Sequence, residues 1–233
     1  MIFTFLRDNA RWVAGGFLLT FFSSFGQTYF ISLSAGDIRA EYGLSHGGFG
    51  TIYMLATLAS AATLPQIGKI VDRISVASTV LLAAPVLAIA CILMAWSTSL
   101  VLLVLAIYLL RLFGQGMFTH IAMTAMGRWF AAQRGRAISL TAIGVNLGEA
   151  VFPISFVGVA ALVGWRGSWL LAAGVLLVVA LPVIYGLLKV ERTPQSVVLD
   201  PGRPAGRDGT RAEVVRDPVV WASQSGGRPP QPR

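Results

Sequence analysis

Arg111 stands inside an uninterrupted apolar stretch, and Glu149 stands inside another. A charge in such a setting costs on the order of 3 kcal/mol even on a lenient insertion scale, so each should face a cavity, an ion pathway or a partner. The chemistry open to them is anion binding through the planar donor fork of the arginine and proton uptake by the carboxylate, whose pKa burial raises and a nearby arginine lowers. Gln115 follows Arg111 by four residues and Asn146 precedes Glu149 by three, which places each amide on its charged neighbour's face if the segments are helical. Gln27 closes a polar stripe with Thr20, Ser23 and Ser24, and Tyr53 heads a second with Thr57 and Ser60. The competing reading is structural: Arg111 and Glu149 form a buried ion pair that fixes helix packing, and the stripes hydrogen-bond between helices. Both readings stand at this level.

Other chemistries find no foothold. There is no Gly-x-Ser-x-Gly elbow and no His-Glu-x-x-His, and Cys91, His46 and His120 are the only cysteine and histidines in the chain. No enzyme activity, cofactor or metal centre is expected. The run Gly114, Gln115, Gly116 is too short for a dinucleotide fingerprint and lies in an apolar span. On a regular helix His120, nine residues after Arg111, points to the opposite face and suits a helix contact or an interfacial position.

The elements that must position these residues follow from composition. Hydrophobic residues make up 55% of the 233 and charged residues 12%, against roughly 25% charged in a soluble domain. Six apolar stretches run over 12–33, 47–67, 77–96, 100–123, 137–163 and 168–190, each near the length of about 20 residues that crosses a hydrocarbon core as a helix. None alternates with a period of two, so the expected fold is an all-α membrane protein of six transmembrane helices over 1–190. The first stretch is too long, and lacks the small-residue cleavage site, to be a removed signal peptide. Residues 191–233, rich in Pro, Gly and Arg, read as a disordered cytoplasmic tail.

Charge supplies orientation. Arg7 and Arg11, Lys69 and Arg73, and Arg128, Arg134 and Arg136 fall on one side, while the other carries only Arg39 and Arg166 as cations. The positive-inside rule therefore places both termini in the cytoplasm. The net charge of +8 is orientation signal plus tail, facing anionic headgroups, and no basic stripe points to nucleic acid.

By depth, Arg111 lies about 16 Å into the fourth stretch and Glu149 about 18 Å into the fifth, both near the middle of a core of roughly 30 Å. Gly144 and Gly148 make a small-xxx-small pair that lets helices approach, with Pro153 as a tolerated kink. The loop after the second stretch reads Gly68, Lys69, Ile70, Val71, Asp72, Arg73, and Gly164, Trp165, Arg166 lead into the sixth.

Taken together, the Gly-x-x-x-Asp-Arg loop, the arginine followed by glycines in the fourth span and the Gly-Trp-Arg before the sixth resemble the major facilitator superfamily of secondary transporters over about residues 10–192. The Gly-Trp-Arg is similar to that of its monocarboxylate-like and organic-anion-like bacterial members. The resemblance implies a six-span amino-terminal half in the inner membrane, a gating loop containing Gly68, Asp72 and Arg73, and secondary transport of a small solute. An organic anion is favoured, with Arg111, Glu149, Gln115, Asn146, Gln27 and Tyr53 as substrate-binding or coupling residues and a proton as coupling ion. Two departures narrow it. Ser75, Val76, Ala77 replace the usual glycine and basic residues after the loop, and Pro153 lies five residues beyond Gly148, which argues against proton-driven drug antiport. In the tail, Arg211 to Trp221 resembles the approach to a seventh span before the composition switches at Ser223. The expectation is a truncated or frame-shifted product of a twelve-span carrier. The alternatives are a half-length protein that forms a homodimer and a non-transporting fragment or interaction subunit.

Overall fold

The computed structural model describes residues 2–192. Of the tail expected over 191–233, only Glu191 and Arg192 fall within it; Arg211 to Trp221 lies outside the described residues. Among the described residues there is no strand. The helices are α1 (Ile2–Phe22), α2 (Thr28–Ser32), α3 (Ala35–Tyr42), α4 (His46–Ile67), α5 (Ile70–Arg73), α6 (Val76–Trp96), α7 (Leu100–Leu109), α8 (Thr119–Trp129), α9 (Arg134–Val175) and α10 (Leu181–Leu188). Four helical stretches are long and apolar enough to cross a membrane: His46–Arg73, Val76–Trp96, Leu100–Trp129 and Ala131–Leu188. The last is not one straight rod, since Gly164 interrupts α9 at φ 75°, ψ 168°, a backbone conformation only glycine adopts cheaply.

Apolar side chains cover both the inside and the outside of this bundle. Trp129, Trp169, Phe118, Leu19 and Leu87 are fully enclosed, while Leu58, Val101, Ile154, Leu162 and Val178 project outward with more than half their surface free. A water-soluble protein would hide that outer layer, whereas in lipid it is the expected solvent-facing surface.

α1 begins at Ile2, ten residues ahead of the apolar stretch, and does not run straight through it. It ends at Phe22; a 3₁₀ turn, Ser23–Gly26, and an extended Gln27 (φ −78°, ψ 153°) separate it from α2. The polar stripe expected along one helical face is therefore folded into a break, with Ser23 Oγ donating to the Thr20 carbonyl at 2.6 Å. Aromatic rings brace the break from α9. Phe25 and Phe152 lie 4.8 Å apart, and Phe30 meets Phe156 at 5.1 Å and Trp169 at 5.0 Å, edge to face.

Upstream of the break, α1 and α9 touch through backbone. A Cβ on Gly144 would stand 2.3 Å from the Phe17 carbonyl oxygen, so no larger residue fits there, and one on Gly148 would stand 3.1 Å from the Phe21 carbonyl oxygen and would displace the Ser24 hydroxyl. Thr20 Oγ1 completes the seam by donating to the Thr141 carbonyl at 2.6 Å.

Charged side chains fasten each end of the bundle by answering helix dipoles. At the end carrying Lys69 and Arg73, Arg11 donates to the carbonyls of Leu187 (2.6 Å) and Gly186 (2.8 Å), the last turn of α10. Arg192 donates to the Trp129 carbonyl at the close of α8 and lies over the Phe130 ring at 4.4 Å. Burial draws its pKa below the ordinary arginine value, although guanidinium remains a cation at neutral pH. Glu191 accepts from the Val76 N–H at the start of α6 at 3.0 Å.

At the opposite end Arg166 donates to Glu41, to the Ala95 carbonyl and, at 2.9 Å, to the Ser97 carbonyl, while Tyr42 donates to the same Ser97 oxygen at 2.8 Å. Glu41 is open to solvent, so the ion pair itself is screened and worth under about 1 kcal/mol; the buried carbonyls need Arg166 more. Arg166→Ala should therefore lower the thermal unfolding midpoint in detergent by clearly more than Glu41→Gln. Equal shifts would place the stabilisation in the ion pair instead.

Candidate functional site

The helix that begins as α7 widens at Leu110 into π geometry and returns to α geometry only at Thr119. Arg111, Gly114, Gln115 and Gly116 all lie in that π segment, Leu110–Phe118. Each π-type turn takes up one residue more than an α turn, so side chains beyond it are rotated by about 100° relative to a regular helix. The widened turn coincides with the break in the first stretch. A Cβ on Gly26 would lie 2.1 Å from the Leu110 carbonyl oxygen, and one on Gly114 would lie 2.6 Å from Gly26 Cα. Backbone meets backbone here.

This crossing holds Arg111, which is 9% exposed. Its Nη1 donates to the Gly26 carbonyl at 3.1 Å and to Thr28 Oγ1 at 3.2 Å. Tyr53 from α4 donates to the same Thr28 oxygen at 2.8 Å, and its ring lies 5.6 Å from the guanidinium carbon. Nη1 is thus anchored to the carbonyl that the helix break frees. The other edge is not: among the described residues the buried Nε has no partner and Nη2 donates to none. Nε–H and Nη2–H form the side-on pair of donors that matches the two oxygens of a carboxylate.

Arg111 also lines a cavity of about 410 Å³ between α4 and the π segment, within the range of small-ligand sites. Thr57, Ser60, Gln115, Thr119 and His120 line it with Arg111. Three of them carry buried oxygens that have no partner among the described residues: Thr57 Oγ1, Gln115 Oε1 and Thr119 Oγ1. Buried polar groups are almost always paired in folded proteins, so three such oxygens on residues that line one cavity are suited to water or solute completing the bonding.

His120 belongs to this wall and not to the opposite face. Its Nε2 lies 3.2 Å from the Gly68 carbonyl, which fixes Nε2 as the protonated nitrogen because a carbonyl can only accept. The regular-helix projection fails because the π segment lies between Arg111 and His120. Thr119, four residues after Gln115 and eight after Arg111, shares their face even on a regular helix, so the spacing of polar residues was the signal for it. Irregular helix geometry has no reliable signature in a single sequence; the Gly-x-Gly of 114–116 is the nearest thing to one.

Glu149 and Asn146 do not join the cavity. Both are exposed on α9, and among the described residues no salt bridge links Glu149 to Arg111. Similar depth in two helices does not bring charges together when the helices present different faces. Gln27 lies at the break beside Gly26 and Thr28, half-buried. Gly68 caps α4, its N–H donating to the Leu64 carbonyl at 2.8 Å, and Asp72 and Arg73 are exposed on α5. Pro153 sits within α9 next to Phe152.

The absence of the ion pair is measurable. Breaking a buried pair costs about 3–5 kcal/mol, whereas a substitution at an exposed site stays within about 0.5 kcal/mol. Glu149→Gln should leave the unfolding midpoint almost unmoved, and a large drop would restore the pair.

A chain whose described residues form a helical bundle with an apolar outer surface and a charged, partly unsatisfied cavity between helices belongs to the class of membrane proteins that handle polar solutes. Residues 16–226 match the Major Facilitator Superfamily, and the chain belongs to that family. Its members are transporters and not enzymes, so membrane transport of a small molecule is the general function. The match continues past the end of α10 into the residues after 192. No curated protein matches the chain.

Proposed function

We propose that the chain carries a small organic anion across the cell (inner) membrane, with the anion's carboxylate seated on the Nε–Nη2 edge of Arg111. The single observation that carries this is a guanidinium anchored on one side and, among the described residues, unpartnered on the other, lining a cavity of about 410 Å³. Gln115, Thr57 and Thr119 supply neutral contacts for the rest of the solute, and His120 bounds the cavity towards Gly68. In this reading the chain crosses six times. The glycine break at 164 divides the longest helical stretch into two passages, and α1 with α2 forms the first. The basic ends then lie in the cytoplasm. Uptake is coupled to a proton, with Glu149 as its carrier on the exposed face of α9.

The test is solute binding to the purified chain, read as a thermal shift across a panel of short mono- and dicarboxylates, their amides and organic cations. Carboxylates should stabilise, and their amides of equal size should not. Stabilisation by the cations alone would overturn the assignment.

A further inference from the structure

α4 and α6 are joined only through the short α5, yet each packs on the π segment and α7 more than on the other. The gap between them is an open fissure of about 470 Å³. Ile67 and Ile70 wall one side, Leu82 and Val86 the other, and Phe113 and Met117 form the floor. Lys69 and Arg73, four residues apart and both exposed, also line it, and among the described residues neither has a salt-bridge partner.

An apolar trough lined also by two exposed cations has the shape of a particular ligand. A free phosphate would use the cations and leave the trough empty; a neutral lipid would fill the trough and leave the cations uncompensated. We propose that the fissure binds one acyl chain of an anionic phospholipid while its phosphate is held by Lys69 and Arg73. Arg73 can take two phosphate oxygens at once, and Lys69 adds a mobile point charge. The position suits this, since the two residues lie in the last turns of the membrane-length stretch His46–Arg73, near headgroup level. The lipid would tie the end of α4 to α6 across a gap that the protein's own side chains leave open. This site is separate from the Arg111 cavity and stands whether or not the solute is an anion.

Native mass spectrometry of the detergent-purified chain tests it, with phosphatidylglycerol and phosphatidylcholine of matched chains added in turn. Phosphatidylglycerol should be retained at least about ten-fold better, and the double variant Lys69→Gln/Arg73→Gln should abolish the preference, at roughly five-fold for each cation. Both positions are exposed, so the fold should survive, and the control Arg7→Gln/Arg134→Gln should keep the preference. Val86→Trp, which fills the trough, should weaken both lipids. Equal retention of the two lipids, or a preference that persists in the Lys69/Arg73 variant, would overturn the proposal. Full displacement by inorganic phosphate would too, because it would reduce the site to a pair of cations.

Discussion

Arg111→Ala is expected to cut the apparent affinity for a carboxylate solute by at least about 100-fold in reconstituted vesicles. Two charge-assisted hydrogen bonds lost at a buried edge amount to about 3 kcal/mol, and each 1.4 kcal/mol is a factor of ten. Arg111→Lys should fall between the two, because an ammonium keeps the charge but cannot present the Nε–Nη2 pair. The alanine variant also strips a donor from the Gly26 carbonyl and Thr28, so its unfolding midpoint must be measured alongside uptake. Loss of uptake with a fold that persists is the expected pattern. Undiminished uptake by a folded Arg111→Ala protein would remove Arg111 from the site.

The second large effect concerns the crossing that places Arg111. Gly26→Ala puts a methyl group 2.1 Å from the Leu110 oxygen and 2.7 Å from the Gln115 nitrogen, both backbone atoms that cannot swing aside. Overpacking of this kind costs typically up to about 3 kcal/mol, and the upper end is expected here. Gly114→Ala meets Gly26 Cα at 2.6 Å and should behave alike. Gly36→Ala and Gly50→Ala, with nothing within 4 Å, serve as controls and should stay within about 0.5 kcal/mol. Thermal unfolding in detergent ranks all four. Because Gly26 also supplies the carbonyl that anchors Nη1, the two damaging variants should lose solute binding even where some fold remains. Four equal midpoints would show that the contact is not close in solution.

These two predictions share one origin. A helix break in one stretch frees a carbonyl; a widened turn in another brings a guanidinium to it; and two glycines let the backbones meet. In lipid each freed backbone group must find a partner within the protein. Here Arg111 is that partner. Its positioning and its free edge therefore come from the same local irregularity, which fits the tendency of π turns to sit at functional sites.

The sequence by itself determined the solvent and the class of fold. Composition and the lengths of the apolar stretches require helices in a membrane, since backbone groups cannot go unpaired in hydrocarbon, and the loop at Gly68 to Arg73 with the glycines after Arg111 pointed to the family. Arg111, Gln115 and Tyr53 stand out in the sequence as candidates because a buried charge and polar residues at helical spacing are costly enough to demand a reason. Which of them meet was decided by tertiary structure alone. Periodicity assumes one rotation per residue, and the π segment and the break at Ser23–Gln27 change that rotation just where it matters. His120 was turned into the cavity, Glu149 was left on an exposed face, and Arg111 took the Gly26 carbonyl in place of a carboxylate. Depth along a helix can be counted from sequence; the direction a side chain faces depends on every turn before it, and only packing fixes those turns.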